Sequence, residues 1–316
     1  MTAPKLAIIG TGNIANFHCH AFKKAGFEIS HAAGSPNSKN ITAFGKHHNI
    51  KKIYADPFDV LKHHSEWDAI LLAPPTENNF DYLDQLIQVS KPTLIEKPVA
   101  TNPESLSSFS RNSHEFIRVA YNRRFYSTVQ RAKDFICKEN VLSARMELPE
   151  RINEPGNYYA VHSNSAHGID LLYYLFKDIK VLNNYHLKDD LGRHVILESE
   201  NGILINLLLN WNAPSNFQIS LETRDKKLEI KPFEDSRVFQ GMDVIEPSDD
   251  LPLRRYEPKI IESVSSFPQK NNLVKPGFLE QAIEMKGVLE GKEAEISATL
   301  FDAFKTQELI KTILHR

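Results

Sequence analysis

The sequence predicts an α/β domain built on a doubly wound parallel sheet, followed by an α+β domain with a mainly antiparallel open sheet. Three observations carry this. Short apolar runs at residues 6–9, 27–33, 68–72 and 93–95 alternate with helical periodicities, the βαβα pattern of a parallel sheet. From about residue 141 the pattern changes to period-two alternation. Glu200-Asn201-Gly202, set between two apolar runs, is an Asn-Gly hairpin signal. The boundary is expected at residue 122, giving domains 1–122 and 123–316, with the last helix packing back on the first domain.

A chain of 316 residues accommodates both domains. Its 41% hydrophobic and 25% charged content are those of a globular protein. The formal net charge of −2 supplies no field that would draw nucleic acid or an anionic membrane. Two cysteines, Cys19 and Cys137, form neither a disulfide framework nor a metal pattern, so no metal site is expected. No apolar run approaches the roughly 18 residues of a membrane span. Met1-Thr2-Ala3-Pro4-Lys5 leads straight into the first strand, with no leader pattern. A cytoplasmic protein is expected.

The first strand enters Gly10-Thr11-Gly12-Asn13-Ile14-Ala15, and Ile14, Ala21, Phe22 and Ala25 then mark one helical face. Strand, glycine-rich turn and helix form the setting of a dinucleotide-binding fingerprint. Gly10 permits the tight turn and Gly12 lets the backbone approach a pyrophosphate. Asn13 and Ile14 open the helix, whose N–H groups and dipole favour anions. The second strand lacks the terminal acid that would hold ribose hydroxyls. Ser35, Asn37 and Lys39 have the chemistry to accept a 2′-phosphate and equally to cap the next helix, so NAD and NADP are both allowed.

A helix follows over 41–48, and the pairs His47-His48 and His63-His64 lack ligand spacing and read as solvated. Residues 68–72 form a buried strand ending at Ala73-Pro74-Pro75. Phe80, Leu83, Leu86 and Ile87 mark the next helix. Thr93-Leu94-Ile95 then delivers Glu96, Lys97 and Pro98 to the carboxyl end of a strand, where open α/β sheets bind ligands. An ordinary polar strand end is the competing reading. Val119-Ala120-Tyr121 reads as one more strand, ending at Arg123 and Arg124, which suit either a phosphate or carboxylate or a pairing with surface acids.

In the second half, Leu142, Ala144, Met146 and Leu148 alternate as in a half-buried strand. Further strands are expected at 195–197, 203–211, 218–222 and 227–230. Residues 231–276, rich in Pro, Asp, Glu and Lys, read as long loops and short strands. His167-Gly168-Ile169-Asp170 opens a helix, with His167 and Asp170 on one face. Residues 278–289 and 297–314 are helical. Leu204 and Leu208 place apolar groups opposite Ile203, Ile205, Leu207 and Leu209, so both sheet faces are expected to be covered, the outer one in a homo-oligomer, dimer or tetramer.

Taken together, Gly10-Thr11-Gly12-Asn13-Ile14-Ala15, Ala73-Pro74-Pro75, Glu96-Lys97-Pro98, Tyr121-Asn122-Arg123-Arg124-Phe125 and His167-Gly168-Ile169-Asp170 resemble the family of glucose-fructose oxidoreductase, inositol dehydrogenase and the MocA proteins. The resemblance covers nearly the whole chain. It implies an N-terminal Rossmann domain, a C-terminal open sheet, and NAD(P)-dependent oxidation of a sugar, cyclitol or sugar nucleotide. It adds Ala73, Pro74, Glu96 and Lys97 to the cofactor contacts. Lys97 would contact the substrate hydroxyl and the nicotinamide ribose, and His167 would act as acid/base. The chemistry is coherent: removing hydride from a carbinol carbon requires the hydroxyl proton to leave, which suits histidine. A lysine cation stabilises the developing alkoxide. Without the resemblance, His167 reads as a buried helix histidine bonded to Asp170.

Two departures qualify the match. Many members carry an acid four residues before the histidine, where this chain has Ser163, and the preceding glycine-rich run is replaced by Tyr158-Tyr159-Ala160-Val161-His162. Either His162, Ser163 or Asn164 fills in, or turnover is reduced. The same fold also hosts nucleotide-binding regulators and sensors, and NAD-dependent glycosidases.

Overall fold

The computed structural model describes residues 2–34, 40–110, 115–154, 156–267 and 273–315. Its chain clusters into two compact units, Met1–Phe125 with Pro268–Lys311, and Tyr126–Phe267 with Thr312–Arg316. In place of a single break near residue 122, the first unit is therefore built from two separate stretches.

The first unit alternates strand and helix: β1 (Lys5–Ile9), α1 (Asn13–Lys24), β2 (Glu28–Ala33), α2 (Ile41–His48), β3 (Lys52–Tyr54), α3 (Pro57–Lys62), β4 (Ala69–Leu72), α4 (Asn79–Val89), β5 (Thr93–Ile95), α5 (Pro103–Ser110) and β6 (Ile117–Val119). The sheet order is β3-β2-β1-β4-β5-β6, and every pair is parallel. Order reverses between β1 and β4, the switch point at which such sheets bind ligands. Apart from Lys5 and Thr93 at their starts, the central strands are apolar, because helices cover both faces. The last strand lies two residues earlier than expected. Its chain turns at Tyr121, whose N–H bonds the Val119 carbonyl, and residues 122–125 continue as a 3-10 turn.

The second unit begins with α6 (Ser127–Lys138), then β7 (Ser143–Glu150), α7 (Ala166–Phe176), β8 (Ile179–His186), β9 (Gly192–Ser199), β10 (Leu204–Trp211), β11 (Gln218–Glu222), β12 (Lys226–Ile230), β13 (Asp235–Ile245) and β14 (Arg255–Ser265). They form one eight-stranded sheet, β14-β13-β12-β11-β7-β10-β9-β8, antiparallel except for the β7–β10 pair. Gly202 turns the β9–β10 hairpin at φ +77°, as Asn-Gly predicts. Ala144, Met146 and Leu148 are buried as expected, but Leu142 precedes the strand and is 53% exposed.

Residues 231–276 depart most from expectation: they contain two paired eleven-residue strands, β13 and β14. Beyond Val238 most of their side chains are exposed, so no face supplies an apolar period for the sequence to show. Pro258 is accommodated because β14 is an edge strand. The chain then returns to the first unit with α8 (Phe278–Leu289) and enters α9 (Leu300–His315). Phe278, Ala282 and Met285 of α8 share a core cluster with Ala15, Cys19 and Phe22 of α1. Burial pushes the Cys19 thiol up to about 12, so it behaves as a small apolar side chain.

His48 corrects the reading of solvated histidines. It is buried, with Nε2 2.7 Å from Asn16 Oδ1 and Nδ1 3.5 Å from Lys23 Nζ. Asn16 accepts and Lys23 donates, so Nε2 carries the proton. His47, His63 and His64 are exposed as expected. Among the described residues no helix is long and apolar enough to cross a membrane.

Candidate functional site

At the switch point of the first unit, Gly10 has φ +98°, a conformation that disfavours a side chain. A Cβ there would also overlap the carbonyl of Ala73, and Ala73 N–H in turn bonds Ile9 O at 2.7 Å. The loops after β1 and β4 thus touch backbone to backbone. Gly12 answers a different need. Its φ is ordinary, and a Cβ built there meets no atom within 4 Å. It opens α1, which has no side-chain cap and no acid in its first turn. Asn13 and Ile14 therefore sit where N–H groups and the helix dipole can receive a pyrophosphate, and Gly12 leaves it room. The residues present fit a dinucleotide. Ser35, Asn37, Ser38 and Lys39 lie outside the described residues, and with them the choice between ribose hydroxyl and 2′-phosphate.

Two strands further along, β5 places Glu96 and Lys97 at the same edge of the sheet. Glu96 is buried: its N–H bonds Leu72 O at 2.8 Å, Oε1 lies 2.6 Å from His18 Nε2, and Oε2 accepts the Lys97 N–H at 3.1 Å. The Lys97–Pro98 peptide is cis. Asn79, at the start of α4, donates to the carbonyls of Pro98 and Val99 at 3.3 and 3.1 Å and fixes the loop from below. Lys97 itself is half-buried.

Arg123 is half-buried, whereas Arg124 is buried with its guanidinium 3.5 Å from Asp302. Burial pushes the Asp302 carboxyl up. Arg124 and two bonds from Thr299 outweigh that and leave it below the ordinary value. Of the two sequence readings for Arg124, this is the pairing with an acid. Lys275 extends over the rings of Phe17 and Phe278 at 5.4 and 4.9 Å. Burial depresses its ammonium against the raising pull of Glu96, and Arg123 lowers it further. No sequence motif marked Lys275.

In the second unit, a π-helical turn, Val161–Ser165, precedes α7. His162, Ser163 and Asn164 are half-buried on it, and Ser163 Oγ lies 3.4 Å from Ala160 O. His167 and Asp170 are both buried in the first turns of α7. Glu150, at the end of β7, accepts from Asn164 Nδ2 at 2.9 Å and Ser165 Oγ at 3.0 Å. Neither Glu150 nor His18 was marked by the sequence reading. His18 was within reach of it, since Ile14, His18, Phe22 and Ala25 follow one helical face. Among the described residues no group of three or more His, Cys, Asp or Glu is placed to hold a metal ion.

Residues 5–115 match the model of an oxidoreductase family with an NAD-binding Rossmann fold. Inositol 2-dehydrogenase of Paracoccus denitrificans is 25% identical over 240 residues, 69% of this chain and 70% of that protein. Inositol 2-dehydrogenase 2 of Saccharopolyspora erythraea is 23% identical over 188 residues, and the match spans about half the length of that relative, 55%. Among solved structures, a levoglucosan dehydrogenase in complex with NADH and levoglucosan superposes with a TM-score of 0.77 at 14% identity, covering 99% of this chain and 96% of that one. An Agrobacterium radiobacter oxidoreductase in complex with NAD+, L-tartaric acid and magnesium gives 0.73 at 14% identity, covering 98% and 95%. At that identity the structural likeness speaks for the fold.

Proposed function

We propose that the chain belongs to the NAD-binding oxidoreductase family whose model its residues 5–115 match, and that it transfers a hydride between a nicotinamide cofactor and a hydroxyl or keto carbon of a sugar, cyclitol or sugar nucleotide. The observation that carries this reading is the switch-point cradle. Gly10 closes on Ala73 while the side-chain space of Gly12 stays open at an uncapped helix N-terminus. The nicotinamide, when bound, supplies the hydride acceptor. Lys97 then holds the substrate oxygen and stabilises its developing negative charge. His167 takes the hydroxyl proton during oxidation and returns it during reduction. Arg123 and Asn164 contribute polar contacts to the substrate.

Cytoplasmic homo-oligomers, dimers or tetramers, complete this reading. The outer face of the second-unit sheet supports it: Leu204 is 46% exposed there, beside a concavity lined by Arg145, Glu147, Asn206, Leu208 and Gln218. One observation favours a second reading, a nucleotide-binding sensor of the same fold. Ser163 stands where the resemblance expects an acid, and its hydroxyl turns to a backbone carbonyl.

One experiment separates the two. Purified protein is analysed for bound NAD(H) or NADP(H) by absorbance and mass spectrometry, then assayed with both cofactors against cyclitols, sugars and sugar nucleotides. Reduction of cofactor by any of these supports the dehydrogenase. Tight cofactor binding with no turnover across the panel overturns it in favour of the sensor.

A further inference from the structure

We propose that Glu150 is the positioning residue for His167, holding the π-helical turn that presents this histidine. The proposal rests on the hydride-transfer reading for its kinetic consequence only. Leu148 and Glu150 project from the same face of β7, two residues apart. Leu148 presses on Gly168, where a Cβ would overlap its side chain, so α7 is packed on the strand through a contact that leaves no room for a side chain at residue 168. Glu150 takes hold on the other side of the histidine, through Asn164 and Ser165. His167 is thus bracketed by two ties to one strand, at residues 165 and 168.

Glu150 is itself fixed. Its carbonyl accepts the Asn212 N–H at 2.8 Å, and its backbone is in register with Trp211 of β10. Its second carboxylate oxygen accepts the Arg151 N–H at 3.1 Å. Three donors therefore converge on a side chain only 9% exposed, and an ionised carboxylate, which only accepts, satisfies all three. Glutamine at this position would turn an NH₂ toward at least one of those donors. The turn needs such a hold. π-Helical turns are rare, are found mostly as single turns and frequently mark functional sites. Ser165, whose hydroxyl makes the contact, is completely enclosed, so the bond is shielded from competing water.

The test compares wild type with Glu150→Gln and, as a milder variant that keeps the carboxylate, Ser165→Ala. The first readout is the pair of His167 imidazole ring resonances in NMR spectra, assigned by their loss in His167→Gln. The second is steady-state kinetics on whichever substrate is oxidised. Displaced His167 resonances in both variants are expected. Turnover should fall at least tenfold in Glu150→Gln and several-fold in Ser165→Ala, with KM and cofactor affinity within threefold of wild type. Unmoved resonances in both variants overturn the proposal, whatever the activity. So does a loss expressed in KM or cofactor affinity with kcat intact. If wild type oxidises nothing, the hydride-transfer reading falls, while the resonances alone still decide the role of Glu150.

Discussion

His18 Nε2 lies 2.6 Å from Glu96 Oε1 in the interior of the first unit, and His18 has no exposed surface at all. The bond joins α1, which opens at the nucleotide cradle, to the strand end that carries Lys97. Phe278 lies against the imidazole at 4.4 Å between ring centres. Nδ1 of His18 is buried without a hydrogen-bond partner among the described residues, so the proton resides on Nε2 and points at the carboxylate. Replacing His18 by Leu leaves a buried carboxylate short of a donor, which costs about 1–3 kcal/mol. Urea unfolding should show a lower midpoint with an unchanged slope. An unchanged midpoint would show that the pair contributes nothing.

The two glycines of the cradle should fail in different ways. Gly10→Ala combines a positive φ with backbone overlap and should lower the melting temperature. Gly12→Val has ordinary backbone geometry and open space, so the protein should stay folded. Its cofactor affinity should nevertheless weaken at least tenfold, about 1.4 kcal/mol. Fluorescence titration with NADH and NADPH measures this, and equal affinity for wild type and variant would refute the site.

His48 makes stability depend on pH. Burial, then Lys23, lowers its pKa from 6.5 to about 4. Between those values the unfolded chain binds a proton that the folded chain refuses, so stability is complete above 6.5 and falls as pH drops toward 4. His48→Gln keeps a donor for Asn16 and an acceptor for Lys23 but does not titrate. Its melting temperature should therefore decline less steeply than that of wild type between neutral pH and about pH 5. Parallel declines would show that His48 is not responsible.

Lys97→Met and His167→Ala should each lower kcat by roughly 10²-fold or more on any substrate found, the scale of a well-placed acid or base. Cofactor affinity should move only a few-fold. Calorimetry and rapid-mixing kinetics separate the two quantities. A loss confined to affinity would assign both residues to binding. Ser163→Asp is the companion variant, and activity appearing only in that variant would mark the native protein as a sensor.

Association is read by sedimentation. Leu204→Glu on the outer sheet face should shift an oligomer toward monomer at micromolar concentration. A wild-type protein that sediments only as monomer would remove the oligomer from the reading.

The glycine turn, β5 and the Asn-Gly hairpin were legible in the sequence because each is specified by neighbouring residues. His18 was half legible: its helical face predicts burial, but only the fold supplies Glu96, 78 residues away, as its partner. Glu150 was not legible, since its role depends on a strand end meeting a turn that begins eleven residues later. The β13–β14 hairpin was hidden for the opposite reason, because strands exposed on both sides carry no apolar rhythm. His48 misled because a histidine enclosed between two helices has the same local spelling as a solvated one.

The divided make-up of the first unit has a consequence for biosynthesis. As the chain leaves the ribosome, α1 emerges long before Phe278, Ala282 and Met285, the α8 residues that share its core. Until they arrive, Cys19 and Phe22 have only the N-terminal part of their shared core, such as Phe27 and Ile29, to pack against. The second unit, by contrast, has all eight strands of its sheet available by residue 265. The first unit thus cannot complete its core until most of the second has been made.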